Sequence, residues 1–103
     1  MQRRNISLPK LDRLHPTMES TCLKLMEEAG ELAQVIGKFR GMSGEPNTLE
    51  HKEVVERIVG ELVDVAQTAV TMMYVIEEQY DVDMDKALED HVDKMIAKGY
   101  MNE

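Results

Sequence analysis

The stretch from Ile58 to Ile76 constrains this chain more than any other. It reads I-V-G-E-L-V-D-V-A-Q-T-A-V-T-M-M-Y-V-I, and only Glu61 and Asp64 in it carry charge. A run this long and apolar predicts a helix buried nearly all round. Acids three residues apart project from one side of such a helix. Carboxylates in an apolar setting are costly unless a positive group meets them. A second pair, Glu28 and Glu31, stands among Leu25, Met26, Ala29, Leu32 and Ala33. Two acids near its middle, with Gly60, argue against a bilayer span for the Ile58–Ile76 stretch.

The surrounding pattern is helical. Residues 1–15 read as an irregular arm carrying Pro9, Arg3, Arg4, Lys10 and Arg13, and residues 16–103 as one domain. Pro16 suits the first turn of a helix. From Thr17 to Arg40, Met18, Cys22, Leu25, Ala29, Leu32 and Ile36 recur at three- and four-residue spacing. Gly41 is a natural stop, and Asn47 or Thr48 a natural cap for a second helix from Leu49 to Gln79. Asp83 caps a third from Met84 to Lys98, which Gly99 ends. Ala87, Leu88, Val92, Met95 and Ile96 form its apolar side. The expected fold is therefore all-α, a helical hairpin plus a third helix. With 103 residues the core is modest. Such a unit completes a four-helix-type bundle by oligomerising, as a homodimer or homotetramer.

Composition excludes several classes. The net charge of −8 argues against a nucleic-acid polymer as partner, since phosphate backbones need a basic face. Cys22 is alone, so neither a disulfide framework nor a Cys metal cluster is available, which fits a reducing cytoplasm. The N-terminus shows no apolar run of signal-peptide length. Cys22 reads as a small core residue, Phe39 and Tyr74 as core, and the methionines Met72, Met73, Met84 and Met95 as core or dimer contact.

Acidic pairs at this spacing are common in so acidic a chain. Glu50/Glu53, Glu53/Glu56, Glu78/Asp81 and Asp90/Asp93 repeat it and read as solvated faces. Setting separates the two chosen pairs. On a wheel with Glu28 at zero, Glu31 falls at about 300° and Lys24 at about 320°. With Glu61 at zero, Asp64 and Arg57 take the same two positions. Each helix thus carries a base four residues before its first acid and a second acid three after it. Antiparallel packing would bring four carboxylates together at mid-height. Such a cluster repels itself unless it takes up protons or a cation. Oxygen ligands without His or Cys favour Mg²⁺, with Mn²⁺ a substitute, and a metal of that kind keeps open positions for substrate phosphates. The bland alternative is a set of buried polar contacts in a non-catalytic helical dimerisation module.

Lys24-Leu25-Met26-Glu27-Glu28-Ala29-Gly30-Glu31-Leu32-Ala33 and Gly60-Glu61-Leu62-Val63-Asp64-Val65 resemble the MazG-like nucleotide pyrophosphohydrolases, of the all-α NTP pyrophosphatase superfamily. Their signature is E-x-x-E, a spacer, then E-x-x-D. The resemblance covers roughly residues 17–98. It implies Mg²⁺-dependent cleavage of nucleoside triphosphates, often deoxy ones, to monophosphate and pyrophosphate. It also implies that Glu28, Glu31, Glu61 and Asp64 bind metal and serve catalysis. A related enzyme acting on a non-canonical or phosphoribosyl nucleotide is the neighbouring possibility. Two features depart from the commoner pattern: a short arm replaces a longer leading helix that contacts the base, and the spacer is long. Both bear on substrate selection.

Lys94 and Lys98, near the end of the third helix, are candidate phosphate contacts, as is Lys24; the alternatives are dipole-answering cations and an i,i+4 pair with Glu28. His15, His51 and His91 form no E-x-x-H pattern with the motif acids, which argues against a ferritin-like di-iron site.

Overall fold

A computed structural model describes residues 1–40 and 51–103. Three helices, α1 (Met18–Phe39), α2 (His51–Tyr80) and α3 (Met84–Ala97), account for all regular structure among the described residues. The fold is all-α, as the periodicity predicts.

Helix α1 begins at Met18, two residues later than Pro16 would start it. Thr17 is the N-cap: the Ser20 backbone N–H donates to Thr17 Oγ1 at 3.0 Å, and the Thr17 N–H donates to Ser20 Oγ at 2.8 Å. This reciprocal box satisfies two end donors, which proline at the first turn cannot do. Thr17→Ala is expected to lower the unfolding free energy by about 1 kcal/mol. Urea midpoints at unchanged slope would measure it. The predicted Gly41 stop, the Asn47 or Thr48 cap and the Leu49 start lie outside the described residues. Helix α2 continues one residue past Gln79. Asp83 caps α3, its Oδ1 accepting the Lys86 N–H at 3.0 Å. Gly99, at φ 77°, closes α3: its N–H donates to the Ile96 carbonyl at 2.9 Å, and that of Tyr100 to the Met95 carbonyl at 3.1 Å. This is the Schellman closure, and glycine meets its left-handed backbone without strain.

Helices α1 and α2 pack on each other, and no other helix pair forms a comparable contact. Residue numbers rise along α1 where they fall along α2. Glu31 groups with Glu61, and Glu28 and Thr21 share a cleft with Asp64 and Thr71, so the pair is antiparallel. Val35, Val54 and Val75 are the buried apolar residues among those described. The radius of gyration is 16.9 Å, against about 13 Å for a compact chain of this length.

Two expectations about burial fail in the single chain. Helix α2 is not buried all round: Val59, Leu62 and Val63 are 54, 54 and 49% exposed. Cys22 is exposed, not core. Both have one cause. Among the described residues, α3 makes no contact with α1 or α2 comparable to the one they make with each other, so the apolar sides of α1 and α2 that face away from the acids stay open. By length and composition alone, α2 would suffice to cross a membrane. Phe39 and Tyr74 are half-buried, Phe39 edge-on to His51 at 4.8 Å.

Candidate metal centre and its cleft

The hairpin brings three of the four predicted acids together. One carboxylate oxygen each from Glu28, Glu31 and Glu61 lies within 4.8 Å of the others. Asp64, one turn along α2, stands outside this group but lines the same cleft as Glu28. Helix geometry explains the arrangement. The antiparallel register sets Glu31 of α1 beside Glu61 of α2.

The surroundings are uneven. The Glu28 side chain is nine-tenths buried, and its Oε1 lies 3.1 Å from Lys24 Nζ. Lys24 also lies 3.5 Å from Glu27. The hydrogen bond to Glu28, followed by the charge of Glu27, raises the Lys24 pKa above its ordinary value. Among the described residues, the buried Glu28 Oε2 and Glu61 Oε2 have no hydrogen-bond partner. No ion pair ties Arg57 to Glu61 among the described residues, so the matching bases four residues ahead of each pair behave differently. Glu31 is exposed, yet the charge of Glu28, then desolvation and the charges of Glu61 and Glu27, hold its carboxyl above the usual range. A proton is the cluster's relief where no cation is present.

The sign of that shift gives a test. A carboxyl raised in the fold binds more protons there than in the unfolded chain, so stability falls as pH rises through the raised range. In EDTA, Glu31→Gln should therefore melt above the wild type at neutral pH. The difference should vanish below the carboxylate range, where Glu31 is protonated in both states. Paired melting curves across pH would check it.

Two buried carboxylate oxygens with nothing to accept are what a hard cation would meet. The donor set, all oxygen and from facing helices, fits Mg²⁺ or Mn²⁺. Beside the acids opens a cleft of about 530 Å³. Thr21, Lys24 and Glu28 form its α1 wall, and Asp64, Gln67, Thr68 and Thr71 its α2 wall. Leu11, Leu14, His15 and Pro16 of the arm close it. Lys94 and Lys98 do not line it; they lie exposed on α3, with Lys98 Nζ 5.9 Å from the Tyr100 ring centre. Sequence reasoning passed over Gln67, Thr68 and Thr71. Their signal was present: polar residues three, four and seven places after Asp64, on its side of an apolar helix.

The family model of the MazG nucleotide pyrophosphohydrolase domain matches residues 16–99. This chain belongs to that family. The match spans both acid pairs and all three helices, and membership points to nucleotide pyrophosphohydrolase activity. No curated protein and no solved structure matches the chain.

Proposed function

We propose that this MazG domain hydrolyses nucleoside triphosphates, deoxynucleotides foremost, to the monophosphate and pyrophosphate with Mg²⁺. The observation that carries the reading is the pair of unpartnered buried oxygens, Glu28 Oε2 and Glu61 Oε2, beside Glu31. Glu28, Glu31 and Glu61 would hold the metal, with Asp64 completing the set from one turn away. Bound there, Mg²⁺ would offset the carboxylates' mutual repulsion and polarise a phosphoryl oxygen. Lys24 neutralises Glu28 and Glu27 at the cleft wall and offers its ammonium to a phosphate. Water attacks the α-phosphorus, the bond to the bridging oxygen breaks, and pyrophosphate leaves. The water's proton passes to the carboxylate cluster or to solvent, with no single acid assigned as the base. Lys94 and Lys98 would reach phosphate only from an α3 docked elsewhere than on its own hairpin.

The working form in this reading is a homodimer or homotetramer in a reducing cytoplasm. The exposed outer faces of α1 and α2 support assembly. Leu23 and Met26 on α1 are 72 and 69% exposed. They match the exposed valines and Leu62 of α2 as the apolar half of an unfinished bundle. The acids Glu61 and Asp64 in α2 favour a second copy over lipid as the cover.

Purified protein with Mg²⁺ and each dNTP, NTP and dUTP, read for pyrophosphate and monophosphate, tests the activity. Turnover confined to a modified or phosphoribosyl nucleotide would move the substrate class. No turnover on any, with no Mg²⁺-dependent rise in melting temperature, would leave the non-catalytic dimerisation module.

A further inference from the structure

We propose that residues 11–16 form a movable strap that gates the cleft, and that the Lys10–Glu78 pair is the latch that keeps it closed. The strap has open space on both faces. In front lies the cleft of about 530 Å³. Behind lies a second cavity of about 230 Å³, lined from α2 by Tyr74, Val75, Glu78 and Gln79. Leu11, Leu14, His15 and Pro16 line both, so this segment is the partition between them. A close-packed segment has no room to shift. This one can retreat into the rear cavity and open the cleft.

The ends of the strap are pinned and its middle is not. At one end Gln67 Nε2 donates to the Pro9 carbonyl at 3.0 Å, and Lys10 pairs with Glu78 while sitting 5.6 Å from the centre of the Tyr74 ring. At the other end Thr17 is locked into the capping box of α1. Between these pins, no hydrogen bond or ion pair to residues 11–16 occurs among the described residues. Leu14, midway, is 59% exposed. A segment with so few contacts opens at low cost. The latch is light as well. Both its side chains are 54% exposed, and an ion pair in that setting is loosened by salt. Thr71 lies beneath the strap: it is 8% exposed, lines both cavities and accepts from Gln67 Nε2 at 3.2 Å. With the strap down, solutes do not reach it. With the strap up, they do, and a nucleotide enters and leaves by the same opening. Only that last step rests on the reading of the cleft as the nucleotide site.

The test uses the full chain with Thr71→Cys in a Cys22→Ser background, so that one thiol reports from under the strap. Should that protein not fold, Thr21→Cys on the facing wall, 4% exposed, takes its place. Iodoacetamide, small and uncharged, reads the opening with neither nucleotide nor metal present. Glu78→Gln breaks the latch and leaves strap and acids intact. It should speed labelling about threefold at low salt. Sodium chloride should bring the parent protein toward the same rate and leave Glu78→Gln unmoved. Asp90→Asn breaks the exposed Lys86–Asp90 pair of α3 with the same change of charge, and should not alter labelling. Stopped-flow binding of a mant-labelled deoxynucleoside triphosphate with Mg²⁺ then reads the gate at work. In Glu78→Gln, kon and koff should rise by one common factor with Kd in place, whereas a lost contact acts mainly on koff. Equal labelling of Glu78→Gln and its parent overturns the proposal, as does equal speeding by Asp90→Asn. A raised Kd with kon unchanged also overturns it. Faster labelling in a protein that binds no nucleotide would uphold the strap and strike the nucleotide reading instead.

Discussion

Glu61→Gln is expected to cut Mg²⁺-dependent pyrophosphate release by about 100-fold or more, the scale on which one preorganised electrostatic contact acts in a buried site. The hairpin should stay folded, because Gln has the same length and shape and removes a charge that the metal-free fold does not pair. Two further signs separate a metal ligand from a structural acid. In EDTA the variant should melt above the wild type, since Glu31 loses a repelling neighbour. In saturating Mg²⁺ the order should reverse. A cation at 100 times its Kd adds about 2.7 kcal/mol to a fold that binds it, and the variant should forfeit most of that. Glu28→Gln is a less clean probe, because it also strips Lys24 of its 3.1 Å partner. Wild-type activity in Glu61→Gln, or a melting curve indifferent to Mg²⁺ in both proteins, would remove the centre from the account.

The contrast between Glu28 and Asp64 shows how much of this site was legible in advance. The wheel placed each acid pair on one side of its own helix, because a helix turns by a known angle. The structure agrees for Glu28, Glu31 and Glu61. The wheel carries no register between helices. The stagger that sets Glu31 against Glu61 leaves Asp64 a turn away, beside Gln67 and Thr68. The caps Thr17 and Asp83 and the stop at Gly99 lie at or next to the predicted helix ends, because capping is local chemistry within four residues. Cys22 and the outer face of α2 show the limit. Apolar periodicity reports that a face must be covered, and says nothing of whether the cover comes from the same chain. The same limit applies to the arm. Pro9 and four basic residues read as an irregular tail, and only the contacts of Gln67 and Lys10 reveal that it folds back as a wall.

Leu62→Glu is expected to turn an assembled protein into a monomer. Leu62 is 54% exposed in the single chain, near Val59 and Val63 on the side of α2 away from Glu61. Burying such a side chain fully is worth about 1.5–3 kcal/mol. A carboxylate there forfeits that gain and adds a desolvation cost. In a two-fold dimer the change occurs twice, so about 3 kcal/mol or more leaves one interface. That is a factor of about 100 or more in Kd. Size-exclusion chromatography with light scattering at micromolar concentration reads the outcome. Asp85→Lys on the exposed first turn of α3 serves as a charge-changing control and should elute as the wild type does. If Leu62→Glu keeps the wild-type mass, the outer face is not the contact between copies. If wild-type protein is monomeric and moves to liposomes, α2 is using its length and hydropathy on lipid instead. Assembly through this face would also bear on catalysis. Glu61 sits one residue from Leu62, so an interface along this face would stiffen the turn of α2 that carries Glu61 and Asp64. Leu62→Glu should therefore lose activity at concentrations where the wild type is still assembled and active, and Glu61→Gln should be inactive at every concentration.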